Sequence, residues 1–244
     1  MNNSRARLAA ALLAAALSSP LAVVRAAPAP FENTIAQRVQ ACTGCHGAQG
    51  RAASDGYYPR IAGKPAQYLF NQLVSFRDGR RDYALMTTLL APLDDAYLRE
   101  IAEHFASLEI PYPPPQPATS DVDTLSRGEQ LVRRGDEALR LPACVACHGT
   151  ALMGVAPAIP ALIGMPRDYL NAQLGAWRTG KRHAPGPDCM AQIAQRLAPQ
   201  DISALSHWLA AQRVPTPAKP ATSLPAGSTM PLECGGTSTP GAAR

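Results

Sequence analysis

Aromatic side chains make up only 5% of the 244 residues and charged side chains only 17%, both below the usual share for globular domains. A core built on stacked rings is therefore excluded, and bulk has to come from elsewhere. Past the first 26 residues there is no apolar run long enough to span a bilayer. No stretch alternates apolar and polar residues, which argues against half-buried strands. A strong excess of one charge is missing too. The formal +5 shrinks to 20 basic against 18 acidic residues once Arg5, Arg7 and Arg25 are set aside with the leader described next. That balance gives no support to a nucleic-acid partner, which needs a basic face for its phosphates.

Proline is abundant, at 24 residues, roughly double the ordinary share. At the start of the chain, Arg5 and Arg7 precede the apolar run from Leu8 to Leu17, a break at Ser18-Ser19-Pro20, and small residues at Val24 and Ala26. This is the pattern of a secretory signal peptide over residues 1–26. An uncleaved anchor is the competing reading, but the run covers only about half the hydrocarbon core. The expected product is an exported chain without a stable membrane span, in a compartment where thiols oxidise. Its length suits two small domains at about 100 to 150 residues each.

A repeat supports that division. Pro59-Arg60-Ile61-Ala62-Gly63-Lys64-Pro65-Ala66-Gln67-Tyr68-Leu69 matches Pro160-Ala161-Leu162-Ile163-Gly164-Met165-Pro166-Arg167-Asp168-Tyr169-Leu170 at a constant offset of 101. Gln72, Leu73, Phe76, Arg77 and Gly79 then meet Gln173, Leu174, Trp177, Arg178 and Gly180 at the same offset. Duplication is the economical account. The expected domains are 27–110 and 121–213, separated by a proline-rich linker at 111–120. They are followed by an irregular tail rich in Pro, Ser and Thr at 214–244.

The periodicity within each copy is helical. Asn33 or Thr34 can cap a short helix carrying Ile35 and Val39. Tyr68, Leu69, Gln72, Leu73 and Phe76 share one helical face that stops at Gly79. A third helix starts near Asp94 or Asp95 with Leu98, Ile101, Ala102, Phe105 and Leu108 on one stripe, and Ile202, Leu205, Ser206 and Leu209 answer in the second copy. The expected class is all-α. A few short helices make a poor core for about 90 residues, and a bulky apolar cofactor would fill it.

Cys42-Thr43-Gly44-Cys45-His46 and Cys144-Val145-Ala146-Cys147-His148 are two copies of C-x-x-C-H, the attachment sequence for c-type haem. The thiols add across the haem vinyl groups, and the adjacent imidazole ligates the iron. The alternatives are a thioredoxin-like pair, which wants a βαβ context and has no use for the histidine, and a zinc site, which would draw both motifs into one cluster. Met86 precedes Leu93, and Met190 precedes Leu197, by the same seven residues. The offset of these methionines is 104, three more than in the repeat, because the second copy gains residues around Pro185-Gly186-Pro187. Met86 and Met190 are thus the candidates for the sixth ligand, although methionine is more often a core filler. Met153 lies close behind His148, and Met165 stands opposite Lys64 in the repeat. The carbonyls of Pro59 and Pro160 are placed to accept the second imidazole N–H; the alternative is ordinary loop proline.

These motifs, the P-x-x-x-G-x-P-x-x-Y-L segment and the two methionine-to-helix segments resemble the dihaem, two-domain class I cytochromes c of the bacterial cytochrome c4 type over about residues 31–213. The resemblance implies two covalently bound haem c groups and tandem class I cytochrome c domains. It also implies periplasmic carriage of single electrons between a respiratory or dehydrogenase donor and a terminal acceptor such as an oxidase. The partners would be redox proteins, membrane respiratory complexes among them. A cytochrome subunit of a periplasmic redox enzyme, or such an enzyme itself (a dihaem peroxidase, a thiosulfate-oxidising or a dehydrogenase-linked cytochrome), is the alternative. A haem-based sensor lacks an output domain. The departures from the pattern are the long tail, the insertion before Met190, and Cys189 and Cys234.

Cys189 and Cys234 remain as an even pair in an oxidising compartment, candidates for a disulfide pinning the tail beside Met190. Closing such a loop contributes roughly 4 kcal/mol in the chain-entropy model; two free thiols are the alternative. His104 and His207 read as surface or boundary residues, and His183 as a competing ligand in the second methionine segment. With four cysteines bound to haem and two to each other, denatured but unreduced holoprotein is expected to show no thiol reactive to an alkylating agent. Two reactive thiols would mean that the last pair is unbridged.

Overall fold

The computed structural model describes residues 31–52 and 57–237. The leader expected at 1–26 and the end of the tail lie outside them. Among the described residues the regular structure is helical, with only isolated β-bridges, as the all-α reading expects. No described helix is long and apolar enough to cross a membrane.

In the first copy, α1 (Ile35–Arg38) starts at Thr34, whose hydroxyl accepts from the Gln37 amide. Then come α2 (Gln40–His46), α3 (Ala66–Arg77), α4 (Ala84–Leu90) and α5 (Asp95–Ser107), the last capped by Asp94, which accepts from Tyr97 N at 2.8 Å. Helix α5 buries the stripe Leu98, Ile101, Ala102 and Phe105 against Leu69, Phe70 and Phe76 of α3. That packing is what its three-and-four spacing is for.

The second copy has α6 (Val122–Arg133), α7 (Val145–His148), α8 (Arg167–Arg178), α9 (Cys189–Arg196) and α10 (Pro199–Ala210). Helix α6 packs across α10, and its Leu131 and Val132 join Ile202, Leu205, Trp208 and Leu209 in the core. Arg127 locks the crossing by donating to Asp136 and Asp201, each at 2.8 Å. The sequence reading placed no helix at α6, although Asp121 caps it by accepting from Thr124 N at 2.8 Å. Its inward face is Leu131 and Val132 with Gly128 at the crossing, and the glycine interrupts the apolar spacing. It also treated Met86 and Met190 as segments leading to a helix, whereas each sits on a short helix of its own, α4 and α9.

The described residues from Asn33 to Thr237 fold as one compact unit. The proline-rich segment is tied down along its length. Arg60 donates to the carbonyls of Ile110 and Pro111 and stacks 3.9 Å from the Tyr112 ring centroid. Gln116 N donates to Ala210 O at 2.9 Å. The described part of the tail is irregular but bonded, with Ala156 N donating to Ala221 O and Ala221 N to Gly154 O.

The α6–α10 crossing depends on Gly128, where a Cβ would stand 2.3 Å from Ala204 O. Gly128→Ala is expected to cost about 1–3 kcal/mol by overpacking. Gly175→Ala, on a helix with nothing within 4 Å of the new Cβ, is expected to be neutral or to stabilise by up to about 1 kcal/mol. Denaturant midpoints of the two holoproteins check the contrast.

Candidate functional site

Each C-x-x-C-H motif lies on a short helix that ends at a glycine with positive φ, 74° at Gly47 and 78° at Gly149. The turn buries the histidine, leaving His46 8% and His148 7% exposed. His46 Nδ1 donates to Pro59 O and His148 Nδ1 to Pro160 O, both at 2.8 Å. A carbonyl can only accept, so the proton sits on Nδ1 and the Nε2 lone pair is free for a metal. Burial pushes both imidazoles below the usual histidine range, against the opposing pull of the proline carbonyls.

In the second copy, Cys144, Cys147, His148, Pro160 and Met190 line one cavity with apolar walls that include Leu162, Leu174 and Leu205. Met190 is the second residue of α9. Asp188 caps this helix by accepting from Ala191 N at 3.0 Å, and its other oxygen accepts from Ala184 N at 2.7 Å. In the first copy, Cys42 and Met86 pack against the same apolar cluster. The paired arginines of the repeat do matching work. Arg77 donates to Leu93 O at 3.1 Å and Arg178 donates to Leu197 O, fixing the chain just after each methionine helix. Cys189 and Cys234 are joined, with Cα atoms 5.1 Å apart. Cys42, Cys45, Cys144 and Cys147 are unbridged. Met153 is buried in the second core, Met165 accepts from Lys64 Nζ at 3.6 Å, and His183 is exposed. Among the described residues no group of three or more His, Cys, Asp or Glu could hold a metal ion, which leaves the zinc alternative without a cluster.

The two copies meet through a feature the sequence reading passed over. Arg81 and Arg182 also stand at the offset of 101, and their backbones form an antiparallel bridge. It is flanked by Asp82 N donating to Lys181 O at 2.9 Å and His183 N donating to Arg80 O at 2.6 Å. Arg81 donates to Gln72 at 3.1 Å and Gln173 at 2.6 Å; Arg182 donates to Gln173 at 2.7 Å and Gln72 at 2.8 Å. Each guanidinium also lies over an aromatic ring of its own copy, Arg81 4.4 Å from Phe76 and Arg182 3.7 Å from Trp177. The arrangement is pseudo-two-fold.

It is also short of negative charge. Arg81, Arg182, Lys64 and Arg60 are all buried, and none forms an ion pair with a carboxylate among the described residues. Burial lowers the Lys64, Arg60 and Arg182 pKa values. Burial would raise the Tyr68 hydroxyl, but Arg182, Lys64 and Arg81 together bring it down to about 8. Buried cations normally have anionic partners. An apolar cavity with a thiol pair, an oriented imidazole and a thioether, beside cations lacking carboxylates, fits a haem with its two propionates.

Comparison with known proteins agrees. The cytochrome c family model matches residues 126–212. Among curated relatives, a thiosulfate dehydrogenase electron acceptor of Thiomonas intermedia is 38% identical, covering 70% of this chain and 78% of that protein. The cytochrome c4 of Pseudomonas aeruginosa is 35% identical, covering 69% and 82%. Among solved structures, reduced cytochrome c4 from Pseudomonas stutzeri superposes with a TM-score of 0.62 at 30% identity, covering 72% of this chain and 95% of that one. The thiosulfate dehydrogenase TsdBA of Marichromatium purpuratum gives a TM-score of 0.62 at 34% identity over 69% of this chain, which spans only 36% of that longer chain. On its two C-x-x-C-H turns, its duplicated helical fold and these relatives, the chain belongs to the cytochrome c4 family, electron-transfer proteins with covalently bound haem c.

Proposed function

We propose that this chain is a periplasmic dihaem carrier that takes single electrons from a thiosulfate-oxidising dehydrogenase and delivers them to a terminal acceptor. The observation that carries the donor is the 38% identity to a protein named thiosulfate dehydrogenase electron acceptor, repeated at 36% in a second organism. In this reading Cys42, Cys45, Cys144 and Cys147 would form the thioethers, and His46 with Met86 and His148 with Met190 would ligate the two irons. Bound haem supplies a one-electron iron couple whose potential thioether ligation raises. The protein's part is to keep the ligands still. Pro59 and Pro160 hold the imidazoles, Asp188 holds the start of the Met190 helix, and Arg77 and Arg178 hold the chain beyond each methionine.

Arg81 and Arg182, with Lys64 nearby, would hold propionates at the junction of the copies and set one electrostatic environment for both sites. The identity to cytochrome c4 favours a second reading, in which a membrane respiratory complex is the donor and an oxidase the acceptor.

Mixing oxidised holoprotein with purified thiosulfate dehydrogenase and thiosulfate decides between the donors. Uptake of two electrons per chain is expected; reduction by a quinol-oxidising complex but not by the dehydrogenase would favour the second reading. Arg182→Met is expected to lower the reduction potentials, because removing a buried cation favours the more positive ferric state. Spectroelectrochemistry reads the shift, and unchanged potentials would remove the arginine from the haem environment.

A further inference from the structure

The two methionine helices are pinned by different means. In the first copy Thr87, the residue after Met86, donates its hydroxyl to Phe76 O at 3.2 Å and ties α4 to the end of α3. At the methionine offset of 104 the second copy has Ala191 after Met190, and at the offset of 101 Trp177 answers Phe76. The acceptor carbonyl is kept in the same setting, because Phe76 O takes the Gly79 amide and Trp177 O the Gly180 amide, each at 3.3 Å. Alanine has no hydroxyl to offer it, so α9 cannot make the bond that holds α4 to its neighbour.

What α9 has instead comes from the far end of the chain. Cys234 is bonded to Cys189, the first residue of α9 and the one before Met190. Gly235 donates its amide to Pro187 O at 2.9 Å, and a Cβ there would stand 2.1 Å from Gly186 O. The tail thus lies backbone to backbone on the three-residue insertion that leads into α9. Gly236 O then accepts from Asn71 Nδ2 of α3, in the first copy, at 2.7 Å. Cys189 answers Leu85 and Asn71 answers Ala172, so neither the cross-link nor its anchor has a counterpart in the repeat. Differences far apart in sequence meet at the start of the one helix that has lost its hydroxyl pin.

We propose that residues 234–237 are a strap that takes the place of the missing hydroxyl, holding the start of α9 so that Met190 stays at the second site. Cys189, Cys234, Gly235 and Asn71 are its positioning residues. The proposal rests on the reading of Met190 as an iron ligand given above. A thioether carried on the chain competes with ligands from solution through its effective concentration, which falls as its helix gains room to move. The strap therefore makes Met190 harder to displace and leaves Met86 unaffected.

Imidazole titration of the full-length ferric holoprotein, followed by the methionine-to-iron near-infrared band, tests this. In Cys189→Ser with Cys234→Ser, half of the band should disappear at several-fold lower imidazole while the other half keeps its midpoint. Adding Ala191→Thr to that variant, which returns the hydroxyl, should recover part of the shift. Thr87→Val should move the opposite half, so that combining it with the cysteine pair moves both. Backbone hydrogen exchange read by mass spectrometry should rise several-fold at residues 190–193 in the cysteine variant and stay unchanged at 86–89. An unchanged titration in the cysteine variant, or an equal shift of both halves, overturns the strap. If that variant yields no holoprotein, Gly235→Ala lifts the tail from the insertion with the disulfide kept, and the same results support or overturn the strap. A band worth only one haem in the unaltered protein sinks the ligand reading instead. Hydrogen exchange then still decides the strap: a rise confined to α9 supports it, and no rise overturns it.

Discussion

Two buried arginines with no carboxylate partner among the described residues hold the copies face to face. Arg81 and Arg182 each reach across to the other copy's glutamine, and each rests on an aromatic ring of its own. Amides and rings soften the cost of burying a guanidinium without cancelling its charge. The interface would gain from anions brought to it, and in the proposed reading the haem propionates would be those anions. In that reading cofactor binding and the docking of the copies would be one event, and a change of charge at either site would be felt through the same network.

Around that junction each copy is a small frame in which several of the contacts that position the site go to backbone atoms. A proline carbonyl orients the imidazole, an arginine from α3 or α8 anchors the chain after the methionine helix, and an aspartate or threonine starts each of several helices. Such contacts survive sequence change in the side chains around them. That explains how two copies with different cores, one around Phe70, Phe76 and Phe105, the other around Leu131, Leu205 and Trp208, present the same arrangement of groups.

Much of this was legible in the sequence because the repeat supplied an internal comparison. Motif and offset single out the cysteines, histidines and methionines as candidates, and apolar spacing finds α3, α5 and α10. Helix α6 was not, because Gly128 replaces a large side chain where the helices touch. Arg81 and Arg182 were missed despite their constant offset. A charged residue after a helix reads as solvated surface, and burial against another copy leaves no trace in local pattern. The seating of the tail on the insertion was also out of reach. The candidate disulfide pointed toward it, but the contact is between backbone atoms of Gly235, Gly186 and Pro187, to which side-chain chemistry gives no clue.

The central claim is that both sites are closed, methionine-ligated electron-carrying centres. An optical and near-infrared titration of the holoprotein, from fully oxidised to fully reduced, tests it most directly. Two low-spin haems, each showing the methionine-to-ferric-iron band, are the predicted result. A high-spin haem, or one without that band, would contradict the assignment of Met86 or Met190 and make an open site, fit for catalysis, the better account.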